Sequence, residues 1–435
     1  MTKNTTLAAC LTGLLGTLAI SPAQATDKAV ADLLLQKGVI SAEEHRQLLQ
    51  SPPQAPAPAS NTATIDLKQG LKITSPDKRY SAKVGTYMQL DTAAYKGAEE
   101  VDHNSGTEMR RGRFYLQGTL DKDWHYKFEM ELFAGSGTEL TDGYVRYSGL
   151  DAANITAGHF KVPFSQEQLM SAREVPFMER SLANAFVISR APGVMVSSGG
   201  DHWSAAGMIM GEKLYTKTGE DEGGGVSGRF TWAPIASSDS SLHFGLAGQF
   251  REPTQAVGGE TARFRARPES HQTDEYLIDT GTIGDVDNLQ LYGLEVASHF
   301  GNTFLQAEYL QADVNRDNDA DLSFNGWYLQ GAWVLVGNPR TYNAATGLYG
   351  GVSSDYAFGA GGIGAWELAL RYSTMDLSDA DIDGGVEENV TIGVNWYPTR
   401  NLRLSGNWVH VVDIDGGPAD GESLHAIQVR LQFAY

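Results

Sequence analysis

The sequence predicts an all-β protein: a transmembrane antiparallel β-barrel of about sixteen strands with a short N-terminal helical segment. Three observations lead there. The chain opens on an export signal, and two-residue alternation of apolar and polar side chains runs from about Lys72 to the last residue. That alternation sets bulky charged groups on the face that a soluble barrel or sandwich would pack as its core.

Residues 1–25 read as a secretory signal, with Lys3 as its basic start, an apolar run from Leu7 to Ile20, and Ala23-Gln24-Ala25 as the cleavage site. A lipoprotein signal ending at Leu7-Ala8-Ala9-Cys10 is the rival, disfavoured because most of the apolar run follows Cys10. Cys10 is the one cysteine and leaves with the signal, so no disulfide chemistry is expected in the exported chain. After the signal there is no apolar run of ~18 or more residues, the length a membrane helix needs. A membrane protein lacking such helices has to be a closed barrel, because open strand edges in lipid leave backbone groups unpaired. The 49 glycines, 18 tyrosines and 8 tryptophans suit an aromatic-rich sheet protein punctuated by glycine. A formal net charge of −20 argues against nucleic acid as a partner.

Four segments follow. After the signal, residues 26–50 form a short helical hairpin: Leu33, Leu34 and Leu35 precede a break at Gly38, and Ser41 with Glu44 makes a capping box for the second helix. Residues 51–70 are a Pro-rich linker carrying Pro52, Pro53, Pro56 and Pro58. The hairpin and linker, placed in the periplasm, serve as an oligomerisation or cell-wall tether or as a passive solvated extension. Residues 71–435 are the barrel.

Within it, Trp124, Tyr126, Phe128, Met130 and Leu132 occupy one face of a strand, with His125, Lys127, Glu129 and Glu131 on the other. The last strand turns Ile427, Val429, Leu431, Phe433 and Tyr435 outward and Gln428, Arg430 and Gln432 inward. A terminal aromatic on such a strand resembles the signal read by the outer-membrane assembly machinery. Short turns at Asp121-Asp123, Leu150-Ala153, Gly199-Asp201, Gly301-Asn302 and Pro398-Asn401 alternate with longer polar loops, the asymmetry expected of periplasmic turns and external loops. External acidic clusters are expected at Glu220-Asp221-Glu222, 313–321, 376–383 and 413–422, as solvated tips or as bridges through divalent cations to lipopolysaccharide.

Several stretches are longer than composition or period explains. Met109-Arg110-Arg111-Gly112-Arg113, Ala157-Gly158-His159-Phe160-Lys161-Val162-Pro163-Phe164 and Phe177-Met178-Glu179-Arg180-Ser181-Leu182 resemble the phosphate-selective porin O and P family. Arg267-Pro268-Glu269, the segment from Gly364 to Ser373, and Asn395-Trp396-Tyr397-Pro398 extend the match, which covers about residue 70 to the end. The resemblance implies a homotrimeric barrel in the outer membrane of a Gram-negative bacterium, narrowed by inward-folded loops whose basic residues attract phosphate or related anions.

The segment from Phe164 to Ala191 is too long for a simple connection and is the candidate constriction loop, carrying Arg173, Arg180 and Arg190 beside Glu174 and Glu179. A second candidate runs from Glu252 to Asn288, where the alternate spacing of Arg263, Arg265 and Arg267 puts three guanidinium groups on one side of an extended chain. Arg111 and Arg113 face inward on the second strand and would continue the series on the wall. Guanidinium forks replace the water that an oxyanion loses in a narrow pore, and a ladder of weak sites suits conduction better than one tight site. The alternative is that these arginines pair with Glu174, Glu179 and Glu269 and only pin the loops.

A census of inward wall positions gives Lys83, Arg111, Arg113, Lys127, Arg146, Arg229, Arg251, Arg371, Arg403 and Arg430 against Asp91, Glu129, Glu131, Asp142, Glu295 and Glu367, a basic interior in an acidic protein. A general or weakly selective porin for other small polar solutes is the rival within the class. A barrel enzyme is the rival outside it, but the histidines are scattered and no Gly-x-Ser-x-Gly or His-Glu-x-x-His pattern occurs. No catalytic residue, cofactor or metal site is expected.

Overall fold

The computed structural model describes residues 32–50, 62–68, 70–97, 103–134, 137–212, 214, 223–253, 260–353, 357–359 and 361–435. The export signal with Cys10, most of the Pro-rich segment and Glu220-Asp221-Glu222 lie outside the described residues. The chain divides into two units, residues 1–62 and 63–435. In the first, residues 32–36 are helical and α1 spans Ala42–Gln50. The Ser41 amide donates to Glu44 Oε2 at 2.8 Å and the Glu44 amide donates to Ser41 Oγ at 3.2 Å, so each residue satisfies an amide at the helix start.

The second unit is a closed antiparallel barrel of sixteen strands. They are β1 (Ser81–Lys96), β2 (Gly106–Leu120), β3 (Trp124–Ala134), β4 (Gly137–Tyr147), β5 (Asn154–Lys161), β6 (Arg190–Gly199), β7 (Trp203–Gly211) and β8 (Gly224–Ala236). The second half comprises β9 (Ser240–Glu252), β10 (Val286–Phe300), β11 (Thr303–Arg316), β12 (Leu322–Val336), β13 (Ala365–Asp379), β14 (Ile382–Thr399), β15 (Leu402–Asp415) and β16 (Leu424–Ala434). Each strand pairs with its sequence neighbours, and β16 closes on β1 in a register that sets Arg430 opposite Asp91. Closure pairs the backbone edges that lipid could not satisfy. A short hairpin, Thr64–Asp66 with Leu71–Thr74, extends the sheet beside β1.

The expected two faces are present. Outward Trp124, Phe128 and Leu132 are 48%, 43% and 45% exposed, whereas Glu129 and Glu131 between them are 5% and 7% exposed. Long apolar side chains on the outside and charged ones sheltered on the inside are the reverse of a soluble sandwich.

At the end of the barrel where β1 starts and β16 finishes, hereafter the terminal end, most connections are short: 121–123, 148–153, 200–202, 237–239, 301–302 and 400–401. One departs from that pattern. The connection between β12 and β13, residues 337–364, is long, and its described residues 342–349 fold up into the barrel, which the sequence reading did not anticipate. At the far end the two expected long loops are residues 162–189 and 253–285. The expected acidic loop at 376–383 is a tight hairpin instead, because β13 runs to Asp379 and β14 starts at Ile382. Likewise Asp313 and Asp413 belong to strand ends.

Candidate functional site: a basic lumen beside an anchored loop

The loop 162–189 folds back inside the barrel because its apolar side chains find an apolar seat there. Val162, Phe164, Met170, Phe177, Leu182, Ala183 and Phe186 are all buried. Three wall positions leave room for them. A Cβ added at Gly293 would meet Phe164 at 3.4 Å, at Gly326 it would meet Ala183 at 3.2 Å, and at Gly393 it would meet Phe177 at 3.2 Å. The loop 253–285 continues this internal core, with Phe264 edge-to-face on Phe186 at 5.2 Å and on Phe324 at 5.9 Å.

Wall arginines on β13, β15 and β16 then tie the loop down. Arg403 donates to Val175 O at 2.9 Å and Pro176 O at 2.8 Å. Arg371 donates to Glu179 O at 3.1 Å and also pairs with Glu269 of the other loop. Arg430 bridges Asp91 at 2.6 Å and Glu179 at 2.8 Å. These charges are buried: Arg371 and Arg430 are paired with carboxylates, and Arg403 is satisfied by backbone carbonyls and Asn395 Oδ1. Three of the ten inward basic positions therefore serve as anchors.

Glu179 is the junction of loop and wall. It accepts two hydrogen bonds of 2.9 Å from Arg110 and one from Arg430. Burial opposes its ionisation, but Arg110, Arg111 and Arg430 outweigh that and hold its carboxyl well below the usual carboxylate range.

The third element comes from the terminal end. In the connection 337–364, Tyr349 and Ser241 share a hydrogen bond of 2.8 Å, and Tyr342 and His243 another of 2.8 Å. Arg229 donates to Gly347 O at 3.0 Å, and Gln166 of the loop 162–189 donates to the same carbonyl at 3.1 Å. Gly347 has φ of +64°, and a Cβ there would lie 2.7 Å from Thr231 Oγ1, so only glycine fits both the turn and the approach.

Loops thus fill the middle of the β10–β16 side, where a cavity of about 630 Å³ remains beside Tyr397, Arg403 and Gln432 at the terminal end, and leave a cavity of about 920 Å³ against β1–β8. Its lining carries ten Lys and Arg but five Asp and Glu, a basic excess in a chain whose net charge is −20. The pairing sharpens that asymmetry. Glu129 and Glu131 are held by Arg113 at 3.0 and 2.8 Å, and Asp142 by Lys127 and Arg190, both at 2.6 Å. By contrast, Lys161 donates to the carbonyls of Gln168, Leu169 and Met170 at 2.8–3.0 Å. Arg180 donates to those of Glu167, Gln168 and Met170 at 3.0–3.4 Å. Arg146 holds Thr156 Oγ1 at 3.1 Å, while Arg173 bonds Ser171 Oγ and lies 5.4 Å over the Tyr87 ring. Carbonyls and hydroxyls, rather than carboxylates, orient these four side chains.

Lys127, Tyr144 and Arg146 also line a second cavity that opens among Lys68, Lys72, Lys83 and Arg400 at the terminal end. The basic lining therefore continues from mid-barrel to that mouth.

The residues anticipated from sequence separate into two places. Arg111, Arg113, Arg173, Arg180 and Arg190 come together on the lumen. Arg263, Arg265 and Arg267 do share one exposed side of their loop, with Ala262, Phe264 and Ala266 buried on the other, but they do not line that cavity. Arg263 pairs with Asp279, Arg267 with Asp274 at 3.1 Å, and Arg265 stacks over Tyr276 at 3.9 Å. Two lumen cations escaped the sequence reading. Strict alternation turns Arg110 toward lipid, but the register shifts where Gln89 faces Arg111 and Leu90 faces Met109, and this bulge brings Arg110 inside to Glu179. Lys161 ends β5, and its side chain turns in to the loop carbonyls.

A closed sixteen-stranded barrel with an apolar outer face and a charged lumen beside an inward-folded loop defines an outer-membrane porin. The model of the family described as phosphate-selective porin O and P matches residues 82–435, and the chain belongs to that family. It is similar to Porin O of Pseudomonas aeruginosa, 26% identical over 416 residues that cover 85% of this chain and 92% of that protein. An uncharacterised protein of Caulobacter vibrioides is 29% identical over 371 residues, 82% of this chain and 73% of its own length. Among solved structures, the anion-selective porin from Comamonas acidovorans superposes with a TM-score of 0.52 at 16% identity, covering 82% of this chain and all of that one. That likeness is one of fold. Family membership indicates a channel-forming protein.

Proposed function

We propose that this porin passes small hydrophilic anions, phosphate and related oxyanions among them, through the lumen beside the loop 162–189. The observation that carries this reading is the unequal pairing of lumen charges. Of the five lining carboxylates, Glu129, Glu131 and Asp142 are matched by Arg or Lys and Glu108 by His271, while Arg146, Lys161, Arg173 and Arg180 rest on neutral acceptors. Such a surface raises the local concentration of anions and lowers that of cations. Spreading the cations along the passage keeps each site weak enough to release its ion.

The far end faces the cell exterior in this reading, and Arg263, Arg265 and Arg267 belong to the approach rather than to the constriction. The assembly is a homotrimer, as the family resemblance implies, with the N-terminal segment in the periplasm and the last strand as the assembly signal. The test is the zero-current potential of the purified protein in a planar bilayer under a KCl gradient, followed by phosphate as a blocker of chloride current. Anion preference with phosphate block supports the reading. A potential of the cation-selective sign overturns it, and one near zero marks a general porin.

A further inference from the structure

The lumen has two chemically different walls. The arc β1–β4 presents Arg111, Arg113, Lys127 and Arg146, with the loop adding Arg173 and Arg180. The arc β5–β7 carries Lys161 and Arg190 at its far-end rim, and from there toward the terminal end it presents small or apolar groups, among them Phe160, Met195, Ser197, Ser204 and Ala206. Tyr144 at the seam between the arcs packs edge-to-face on Phe160 at 5.8 Å, and Leu348 from the connection 337–364 adds an apolar side chain below. A passage meant only for bare, fully hydrated inorganic ions gains nothing from an apolar strip, since those ions find no partner on it. A solute with a charged head and an apolar body would touch both walls at once.

We propose that the lumen carries a site for organic anions in which a carboxylate or phosphate head on a compact apolar or aromatic body is held by the cationic wall, while Tyr144, Met195 and Ala206 receive the body. This rests on the anion-porin reading and narrows it to a substrate class. The head exchanges water for guanidinium and ammonium donors. The body sheds water against the β5–β7 wall, which stabilises it by an amount proportional to the apolar area covered. The strip is short and open to solvent, so the solute is slowed without being trapped.

The test compares two ring carboxylates of one skeleton, cyclohexanecarboxylate and its hydroxylated counterpart quinate. Bi-ionic zero-current potentials against chloride at neutral pH give each permeability, and neutral acid crossing the lipid carries no current. The wild-type channel is expected to favour cyclohexanecarboxylate over quinate. Met195→Gln keeps the side-chain length and all lumen charges, and should lower that ratio about fourfold, the effect of losing roughly one methylene of buried contact. Ser197→Val, on the same strand face, should raise it. A wild-type ratio at or below one, or a ratio that neither substitution moves, overturns the inference even where chloride selectivity remains anionic. A cation-selective potential in KCl alone would instead remove the reading on which it rests.

Discussion

Arg173→Gln isolates the field of one lumen cation. Arg173 sits on the loop 162–189, its side chain bonds Ser171 Oγ, and the bonds that its carbonyl accepts from Arg403 and Gln432 use the backbone, which the substitution retains. The loop anchors at Arg371, Arg403 and Arg430 are untouched. A unit charge 5 Å from a passing ion is worth about 0.8 kcal/mol at the dielectric constant of water and about 3 kcal/mol at an effective value near 20. The lower figure suits a hydrated lumen. Screening with a Debye length of about 10 Å at 0.1 M reduces it to roughly 0.5 kcal/mol, and with about 3 Å at 1 M to roughly 0.15 kcal/mol. Losing the charge removes attraction for the anion and repulsion for the cation together. The anion-to-cation permeability ratio should therefore fall roughly fivefold at 0.1 M KCl and less than twofold at 1 M. Zero-current potentials centred on the two concentrations read this directly. An unchanged ratio at 0.1 M in a channel of normal conductance refutes the argument, and an equal change at both concentrations shows that the loop moved rather than that a charge was lost.

Replacing Arg263, Arg265 and Arg267 by Gln together should leave the permeability ratio at 1 M KCl unchanged, because they lie outside the lumen cavity; a large shift there would put them in the passage. Gly393→Val should push Phe177 off its seat, since a Cβ already meets the ring at 3.2 Å, and should raise single-channel conductance as the loop lifts; an unaltered conductance means that the loop does not set the bore. Glu179 has its folded carboxyl pushed below the range of about 4.3 that it takes unfolded. Its anchoring contribution is therefore complete above that range and is lost only as pH falls through the depressed value. Current noise should stay flat from pH 7 to 4.5, and a transition with a midpoint above about 4.3 contradicts the pairing. Leu431, outward and 38% exposed on β16, should cost about 2–4 kcal/mol in denaturant unfolding when replaced by Arg near the bilayer midplane; a change near zero would put it at an interface.

The class of this protein was legible in its sequence because a barrel wall is written locally. Each strand carries its own lipid-facing and lumen-facing sets two residues apart, as Trp124 to Leu132 shows, so inward Arg111, Arg113 and Lys127 follow from counting. The capping box at Ser41 and Glu44 is local for the same reason. What counting could not give lies where the period breaks or where partners are distant in the chain. Arg110 reached the lumen through a bulge set by β1. Arg371, Arg403 and Arg430 look identical in sequence to Arg113, yet they hold carbonyls and carboxylates of the loops while Arg113 faces the cavity. The inward fold of residues 342–349 rests on Arg229, Ser241 and His243 of facing strands, partners that no local pattern in that stretch names. The alternating pattern alone determined that there is a wall and which side of it is wet. Tertiary structure decided which half of the interior stays open, because that depends on long-range packing of loop side chains onto Gly293, Gly326 and Gly393, a complementarity that no single segment contains.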